Sequence, residues 1–462
     1  MDIECIVTVG RNLGICSINE DTWTLHDDTK SVQELTKGHA VVMGRVTYES
    51  LHVTQLNDRM NIVLTDNAAI FNNTHNVKFM TFNECVRFIH DPKSIHTKMY
   101  IIGGEHIYKL FIEHITVIHL TQVFHQRRVG FQHPKGFFFK IPNTFQLIDI
   151  SGQYYNNNIP FRFLKFVKRI TTIDHDKEYI RLSKYILDHG ESREDRTKTG
   201  TIAVFAEQMK FDIRESIPIL TTKRIPWKSC IEELLWFLKG DTNANHLNEK
   251  GVTIWDGNSS REFLDNVGLS YLDEGDCGAN YSFQWRHFGG AYTCFQDNYD
   301  NQGVDQIAYI ENLLKTDKYS RRIFLSAWNP SDLQKTVLPP CHVSAQFFVD
   351  NNDRLSCHMY QRSCDMFLGV PWNILSYASL TYLLAIRNNL KPGFLTISTG
   401  DTHIYRNHID QMELQISRNA LCAPRLVINS DVKNTPLNEL SIDDFDLIGY
   451  FPHDTIRGVM ST

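Results

Sequence analysis

Short, continuous apolar runs alternate with amphipathic segments along the first 170 residues. Runs of this kind are typical of strands in a sheet that is covered on both faces. They lie at 3–9, 41–44, 61–65, 99–104 and 117–121, and a last strand is expected at 161–168. Segments 82–89 and 105–111, between them, have helical periodicity. The alternation predicts an α/β domain with a mostly parallel central sheet and flanking helices.

The rest of the chain has a different pattern. After a short polar joint, residues 177–189 form an amphipathic helix pattern, and long helical stretches then mix with strands predicted at 322–328, 342–349 and 354–360. We expect an α+β domain with one large sheet. The predicted division is a first domain at 1–169, a linker at 170–176 and a second domain at 177–462.

Composition is that of a globular protein. Of 462 residues, 42% are hydrophobic and 22% charged, and the net charge of −6 argues against a general DNA-binding protein. The longest apolar run, 374–386, contains serine, threonine and tyrosine and is too short for a membrane span, so a core helix is expected. The ten cysteines include no CxxC pair, which predicts free thiols, no metal site and a cytoplasmic location.

A candidate nucleophile stands out in the second domain. Cys341 follows Pro339-Pro340 on a stiffened backbone, and Arg362 comes about twenty residues later. An arginine can hold a phosphate and lower the pKa of a nearby thiol, and a thiolate is a strong nucleophile.

These residues belong to a longer set of motifs. The set includes Leu234–Asn243, Arg321-Arg322, Gln361–Asp365 and Gly400–Tyr405, and it resembles thymidylate synthase from about Glu178 to the C-terminus. That chemistry needs a thiolate because carbon 5 of uracil becomes nucleophilic only after addition at carbon 6. The resemblance implies a symmetric dimer through this domain, with Arg321 and Arg322 donated across the interface.

The resemblance also implies roles for individual residues. Cys341 would be the nucleophile, Glu233 would relay protons through water, and Tyr281 would assist proton removal from carbon 5. Asn373 would read the pyrimidine edge and favour dUMP over cytosine nucleotides, since the related enzymes that act on cytosine carry a carboxylate there. Trp255 and Asp365 would contact the folate cosubstrate, 5,10-methylenetetrahydrofolate. The residues implied for dUMP binding are Arg196, Arg321, Arg322, Arg362, Ser363, Asp365, Asn373, His403 and Tyr405.

Turn motifs in the first domain point to a nucleotide site. Gly103-Gly104 follows an apolar strand and precedes a helix, where backbone amides can hold a pyrophosphate. With Met43–Ser50, Asn12–Ile15, Trp23 and Asp28, this motif resembles dihydrofolate reductase over residues 1–170. Asp28 would then bind the pterin ring, with Asp27 as the alternative.

Further reductase roles follow from the same resemblance. Thr121 would support the Asp28 carboxylate, and Arg59 would bind the α-carboxylate of dihydrofolate. Val32 stands where the family has a large aromatic residue, and Asp66 where it often has a basic one. The NADPH-binding residues implied are Gly14, Arg45, Thr47, Thr65, Gly103, Gly104 and Tyr108.

The two halves together imply a bifunctional enzyme, in which the reductase recycles the dihydrofolate that the synthase releases. One alternative keeps an active synthase with the reductase half as an inactive scaffold. A second alternative, a nucleotide-sensing or RNA-binding regulator, is disfavoured by the complete set of Cys341, Glu233, Arg362 and Asn373. A third, a cytosine nucleotide hydroxymethylase, is disfavoured by Asn373.

Overall fold

The computed structural model describes residues 1–10, 14–15, 25–51, 56–90, 97–124, 139–169, 173–195 and 198–460. The chain divides into two compact units, Met1–Thr172 and Ile173–Thr462. Among the described residues, no helix is both long enough and apolar enough to cross a membrane.

The first unit is built on a nine-stranded sheet. Its strands are β1 (Asp2–Val9), β2 (Ala40–Gly44), β3 (Met60–Leu64), β4 (Val77–Met80), β5 (Lys98–Gly103), β6 (Val117–Val123), β7 (Phe145–Ile150), β8 (Tyr154–Asn156) and β9 (Ile159–Lys168). The order is β4-β3-β2-β5-β1-β6-β9-β7, with β8 paired to β9. All pairs from β4 to β6 are parallel and those of β9 are antiparallel. The predicted mostly parallel sheet is confirmed.

Four helices accompany this sheet. They are α1 (His26–Thr36), α2 (Arg45–Ser50), α3 (Phe82–Ile89) and α4 (Glu105–Phe111). The last two have the predicted bounds. Helix α3 begins at a capping box, in which the Thr81 hydroxyl accepts from the Glu84 amide and the Glu84 carboxylate accepts from the Thr81 amide. Such a box satisfies two amides that a helix start leaves without partners.

The second unit has a seven-stranded sheet and a two-stranded one. The strands are β10 (Glu191–Arg193), β11 (Thr201–Phe205), β12 (Gln208–Asp212), β13 (Phe324–Ser326), β14 (His342–Val349), β15 (Arg354–Asp365), β16 (Lys391–Tyr405), β17 (Arg425–Ile428) and β18 (Phe445–Ile448). The large sheet has the order β10-β11-β16-β15-β14-β13, with β12 also on β16, and only β15–β16 is parallel.

Nine helices surround the large sheet among the described residues. They are α5 (His175–His189), α6 (Trp227–Lys239), α7 (Asn245–Asn248), α8 (Asp256–Ser259), α9 (Arg261–Asn266), α10 (Tyr281–His287), α11 (Gln306–Thr316), α12 (Gly369–Arg387) and α13 (Ile409–Ile416). Helix α5 begins two residues before the predicted start. Helices α6 and α12 are buried along most of their length, which explains the nearly continuous apolar run at 374–386. Gly240, with φ of +73°, ends α6 in the left-handed conformation.

Candidate active sites

The Cys341 thiol lies immediately before β14 at one end of the large sheet. Its backbone amide donates to the Tyr281 hydroxyl (2.6 Å), and its carbonyl accepts from the Arg362 amide (2.8 Å). Burial raises the pKa of the Cys341 thiol, while the positive charge of Arg362 and the Tyr281 hydroxyl oppose that rise. The charge of Arg362 lowers the pKa of the thiol, as expected, but the opposite effect of burial is larger.

Arg362 on β15 is held close to this thiol. Its Nε donates to the Pro340 carbonyl (2.9 Å) and its Nη2 to the Pro339 carbonyl (2.7 Å), so the two prolines position the guanidinium as well as the cysteine. A guanidinium has five N–H donors. With two of them used in this way, three remain for an anion beside the thiol.

Glu233, in the middle of α6, is a buried carboxyl between two indoles. Trp255 Nε1 donates to its Oε1 (2.8 Å), and Trp372 Nε1 donates to its Oε2 (2.7 Å). Burial raises the pKa of Glu233 to about 7, against the lowering effect of both indole hydrogen bonds. A carboxyl with this pKa can exchange a proton near neutral pH.

Tyr281 and His342 stack beside the thiol, with ring centroids 3.9 Å apart. Burial raises the pKa of Tyr281 well above its ordinary value and lowers that of His342 to about 3, so both rings are neutral at physiological pH. The His342 Nδ1 also lies 2.9 Å from the Tyr377 hydroxyl.

Four further candidates for dUMP binding meet at the same end of the sheet. In the parallel β15–β16 pair, Ser363 is opposite Asp401 and Asp365 is opposite His403. His403 Nδ1 lies 2.8 Å from Asp401 Oδ1, and its ring packs edge-on against Tyr405. The Asp365 carboxylate accepts from the amides of residues 367 and 368, ahead of α12.

Asn373 lies in the second turn of α12. Its Oδ1 accepts from Gln361 Nε2 (3.0 Å). This hydrogen bond fixes the orientation of the amide and leaves its NH2 group available to donate. The side chain is thus presented as both an acceptor and a donor, which is what reading a uracil edge requires.

The remaining predicted phosphate ligands are not brought to this site within the chain. Arg321 and Arg322 are exposed ahead of β13, and neither guanidinium has an ion-pair partner in the part of the chain that the structure describes. Arg196 lies outside the described residues.

Asp28, on α1 of the first unit, accepts a hydrogen bond on each carboxylate oxygen. Thr121 donates to Oδ1 (2.6 Å) and Thr8 to Oδ2 (2.8 Å). Burial raises the pKa of Asp28, and both hydroxyls oppose that rise. Asp28, Thr121 and Val32 also line a cavity of about 340 Å³. The predicted support from Thr121 is present, and Asp28 is partly buried whereas Asp27 is exposed.

Arg59 is only 7% exposed. Its Nε donates to the Thr36 hydroxyl, Nη1 to the Asn57 carbonyl and Nη2 to the Gln33 carbonyl, at 2.6 to 2.7 Å. These three bonds leave one N–H on each terminal nitrogen. Such a pair is suited to a carboxylate.

The residues expected to bind NADPH surround the ends of β2 and β5. A Cβ added to Gly103, whose φ is +114°, would lie 3.1 Å from the Tyr108 hydroxyl, and one added to Gly104 would lie 3.4 Å from Thr47 Oγ1. The turn therefore offers bare backbone, which suits a pyrophosphate. Tyr108 is buried and donates to the carbonyl of Ile6 (2.8 Å).

The other cofactor residues are more open. Arg45 is exposed and pairs with Glu49 (2.6 Å), one helical turn away on α2. Thr65 follows β3, and the Gly14 carbonyl accepts from the Gly10 amide (3.0 Å), next to the bridge between Val9 and Ile15.

Three polar or aromatic residues were not predicted. Thr8 and Trp372 were missed because their roles depend on hydrogen bonds that appear only when distant segments pack. Lys223 is buried, its Nζ lies 3.6 Å from the centroid of the Phe367 ring, and it donates to the Phe367 carbonyl. Burial lowers the pKa of Lys223 to about 7, although Asp365 raises it. No sequence signal marks Lys223, because Thr222 precedes it, Arg224 follows it and Lys228 lies nearby, so it does not stand out as a lysine among apolar residues.

Comparisons with known proteins cover nearly all of the chain. The family model for dihydrofolate reductase matches residues 2–168, and that for thymidylate synthase matches 177–462. A bifunctional dihydrofolate reductase-thymidylate synthase from Paramecium tetraurelia is 40% identical over 99% of this chain and 98% of its own length. Proteins of the same name from Leishmania major (39%, 92% of this chain and 86% of theirs) and Zea mays (38%, 99% and 96%) are also similar. The chain belongs to the bifunctional dihydrofolate reductase–thymidylate synthase family.

Proposed function

We propose that the second unit methylates dUMP to dTMP with Cys341 as the nucleophile, and that the first unit reduces the resulting dihydrofolate with Asp28 as the pterin-binding acid. The observation that carries the proposal is that each unit has a partly buried reactive side chain with its partners in place. These are Cys341 with Arg362 in one unit and Asp28 with Thr121 in the other.

The synthase reaction begins with attack by sulfur. The Cys341 thiolate forms a bond to carbon 6 of the uracil, and the electron pair moves to carbon 5 and the carbonyl oxygen. Carbon 5 then bonds to the methylene carbon of 5,10-methylenetetrahydrofolate, whose bond to N10 breaks with the electron pair going to that nitrogen. Because burial raises the pKa of the thiol, we infer that Arg362 is the cation that stabilises the thiolate when attack occurs.

Completion of the reaction requires a proton to leave carbon 5. Tyr281 lies at the thiol, and the Glu233 carboxyl has a pKa of about 7, so together they provide a route for that proton. Loss of that proton breaks the bond between the methylene carbon and N5 and leaves an exocyclic methylene group on the pyrimidine and tetrahydrofolate. A hydride from the tetrahydrofolate then converts the methylene to a methyl group, the bond from sulfur to carbon 6 breaks to release the thiolate, and dTMP and dihydrofolate leave. Trp255 lies beside Glu233, where it would border the folate ring.

We expect residues at one end of the large sheet of the second unit to bind dUMP. Asn373 would read the pyrimidine edge, and His403 and Tyr405 the ribose hydroxyl. The phosphate would bind to Arg362, Ser363 and Arg196. Asp365 would contact the folate or the pyrimidine through the loop that it caps.

In the reductase unit, Asp28 would bind the pterin ring and Arg59 the α-carboxylate of dihydrofolate. NADPH supplies a hydride to the pterin when bound. The residues that would hold it are Gly14, Arg45, Thr47, Thr65, Gly103, Gly104 and Tyr108, and the bare backbone at Gly103-Gly104 fits its pyrophosphate. The intact surroundings of Asp28 disfavour an inactive scaffold.

We propose a homodimer because one face of the large sheet exposes three aromatic side chains. Phe324, Phe348 and Tyr360 are 45%, 66% and 41% exposed, and the strand register places them on one face. Exposed apolar patches of this kind mark interaction sites. A symmetric partner on this face would bring its own copies of Arg321 and Arg322 to the phosphate site. We further propose a cytoplasmic location and domain bounds of 1–169, 170–176 and 177–462.

Single-site variants test the two activities separately. Cys341→Ser should abolish dTMP formation and leave dihydrofolate-dependent oxidation of NADPH, followed at 340 nm, unchanged. Asp28→Asn should have the opposite effect. Loss of both activities in either variant, or no NADPH oxidation by the unaltered chain, would contradict the proposal.

A further inference from the structure

Glu233 is held by two donors that cannot accept a proton. An indole N–H donates only, so neither Trp255 nor Trp372 can exchange roles when the carboxyl becomes protonated. The Thr8 and Thr121 hydroxyls on Asp28 can rotate and accept instead. The indoles therefore favour the ionised form of Glu233 specifically.

Trp372 comes to Glu233 from a different helix. Glu233 is on α6 and Trp372 is on α12, directly before Asn373. A second contact joins the same two helices, because the Cys230 thiol, one turn before Glu233, donates to the Trp372 carbonyl (3.4 Å). Trp372 is thus held by hydrogen bonds at both its backbone carbonyl and its indole ring.

We propose that Trp372 is a positioning residue for the synthase reaction: it orients the Glu233 carboxylate and sets the pH range in which Glu233 exchanges protons. The proposal rests on the proposed role of Glu233. It also links Glu233 to substrate recognition, because Asn373 is the next residue of the same helical turn.

The other titratable groups around Glu233 carry no charge near pH 7, so the two indoles are the groups that oppose the effect of burial on its pKa. They are Cys230 on α6, Cys277 in the segment before α10, and Tyr281 on α10. Burial raises the pKa of each of them well above its ordinary value, so all three are neutral near pH 7. The pKa of Glu233, about 7, thus reflects burial opposed by the two indole hydrogen bonds.

The test is the pH profile of kcat/KM for dTMP formation by the full chain carrying Trp372→Phe. The limb that belongs to Glu233 is the one that disappears in Glu233→Gln. We expect that limb to move to higher pH by about 1 unit, since a lost hydrogen bond to a charged group is worth at least that much. Infrared titration of the Glu233 carboxyl without substrate should show the same upward shift.

Trp285→Phe is the matched control. Trp285 is a buried tryptophan of α10 whose indole nitrogen has no hydrogen-bond partner among the described residues, so its loss should leave the Glu233 limb in place. If Trp372→Phe does not fold, benzothienylalanine at position 372 keeps the bicyclic shape and lacks only the N–H.

The outcomes separate the two claims. If the unaltered chain forms no dTMP, the proposed function fails. If it forms dTMP but the Glu233 titration of the Trp372 variants coincides with that of the unaltered chain, Trp372 is only a packing residue and this inference is overturned.

Discussion

At the scale of single residues, both proposed sites use a carboxyl with one donor on each oxygen, which is buried in the case of Glu233 and partly buried in the case of Asp28. The donors differ: hydroxyls of Thr8 and Thr121 hold Asp28, and indoles hold Glu233. Each carboxyl has its pKa raised by burial and restrained by its donors. The same arrangement of donors would therefore serve the proposed pterin site in one unit and the proposed proton relay in the other.

Thr8→Val should move the pH dependence of the reductase. Valine keeps the shape of threonine and removes the hydroxyl that stabilises the ionised Asp28, so the pKa of Asp28 should rise further. Activity that depends on the ionised carboxylate should then be lost at a higher pH as pH falls. On the acid side of the profile, where Asp28 is mostly protonated, kcat/KM should decrease by about tenfold, and it should be unchanged on the alkaline plateau. The measurement is NADPH oxidation as a function of pH.

Thr116→Val is the control for this change. Its hydroxyl donates to the carbonyl of Ile3 (3.0 Å) and does not contact Asp28. The variant should keep the pH profile of the unaltered chain. An unchanged profile in Thr8→Val would mean that the Thr8 hydroxyl has no influence on Asp28.

Sequence reasoning located those site residues that stand inside recognisable motifs. Cys341 and Arg362 were predicted from the Pro339-Pro340-Cys341 motif and the arginine about twenty residues after it, and Asn373 was predicted from the resemblance to thymidylate synthase. Thr8 and Trp372 were missed because threonine in a strand and tryptophan in an apolar helix are ordinary core residues. Only the packing of α1 on β1, or of α12 on α6, gives these residues a partner.

At the scale of elements, local signals decided which helices could be predicted. Helix α3 has a capping box at Thr81 and Glu84 and was predicted with the correct bounds. Helix α1 was not predicted: its N-cap is Leu25, which makes no side-chain cap, and its sequence is mostly polar. The short, exposed strand β10 was missed as well, since it has no apolar alternation.

The start of α5 depends on one buried carboxylate. Asp176 accepts from the amides and hydroxyls of Thr221 and Thr222, at 2.7 to 3.1 Å. Asp176→Asn would place an amide NH2 against backbone amides that cannot reverse their role. We expect the free energy of unfolding to fall by about 1–3 kcal/mol and the melting temperature to decrease.

Asp174→Asn provides the comparison for Asp176→Asn. Asp174 is the N-cap of the same helix and accepts from the Lys177 amide (3.2 Å), and asparagine caps about as well as aspartate. Its melting temperature should stay close to that of the unaltered chain. Equal effects of the two substitutions, in thermal unfolding followed by circular dichroism, would show that the Asp176 network has no special weight.

At the scale of the whole molecule, the synthase site is incomplete without a partner chain if Arg321 and Arg322 act across the interface. Mixing Cys341→Ser chains with chains that carry Arg321→Ala and Arg322→Ala tests this arrangement. A hybrid dimer would then contain one site with both the thiol and the arginines. With half of the dimers hybrid and half of their sites intact, about a quarter of the original activity should return after subunit exchange.

The mixing experiment has a different expected result if the arginines do not cross the interface. If the arginines act within their own chain, every site in the mixture lacks either the thiol or the arginines, and no activity returns. The activity of each variant alone is the baseline, and the size of the unmixed chain in solution shows whether the exposed sheet face is paired.

The central claim is that one chain performs both halves of a folate cycle. The most direct measurement is dTMP yield with folate far below dUMP, in the presence of NADPH and formaldehyde, which regenerates the methylene donor from tetrahydrofolate. We predict many dTMP molecules per folate from the unaltered chain, and no more than one per folate from Asp28→Asn. A yield limited to one per folate in the unaltered chain would contradict the account.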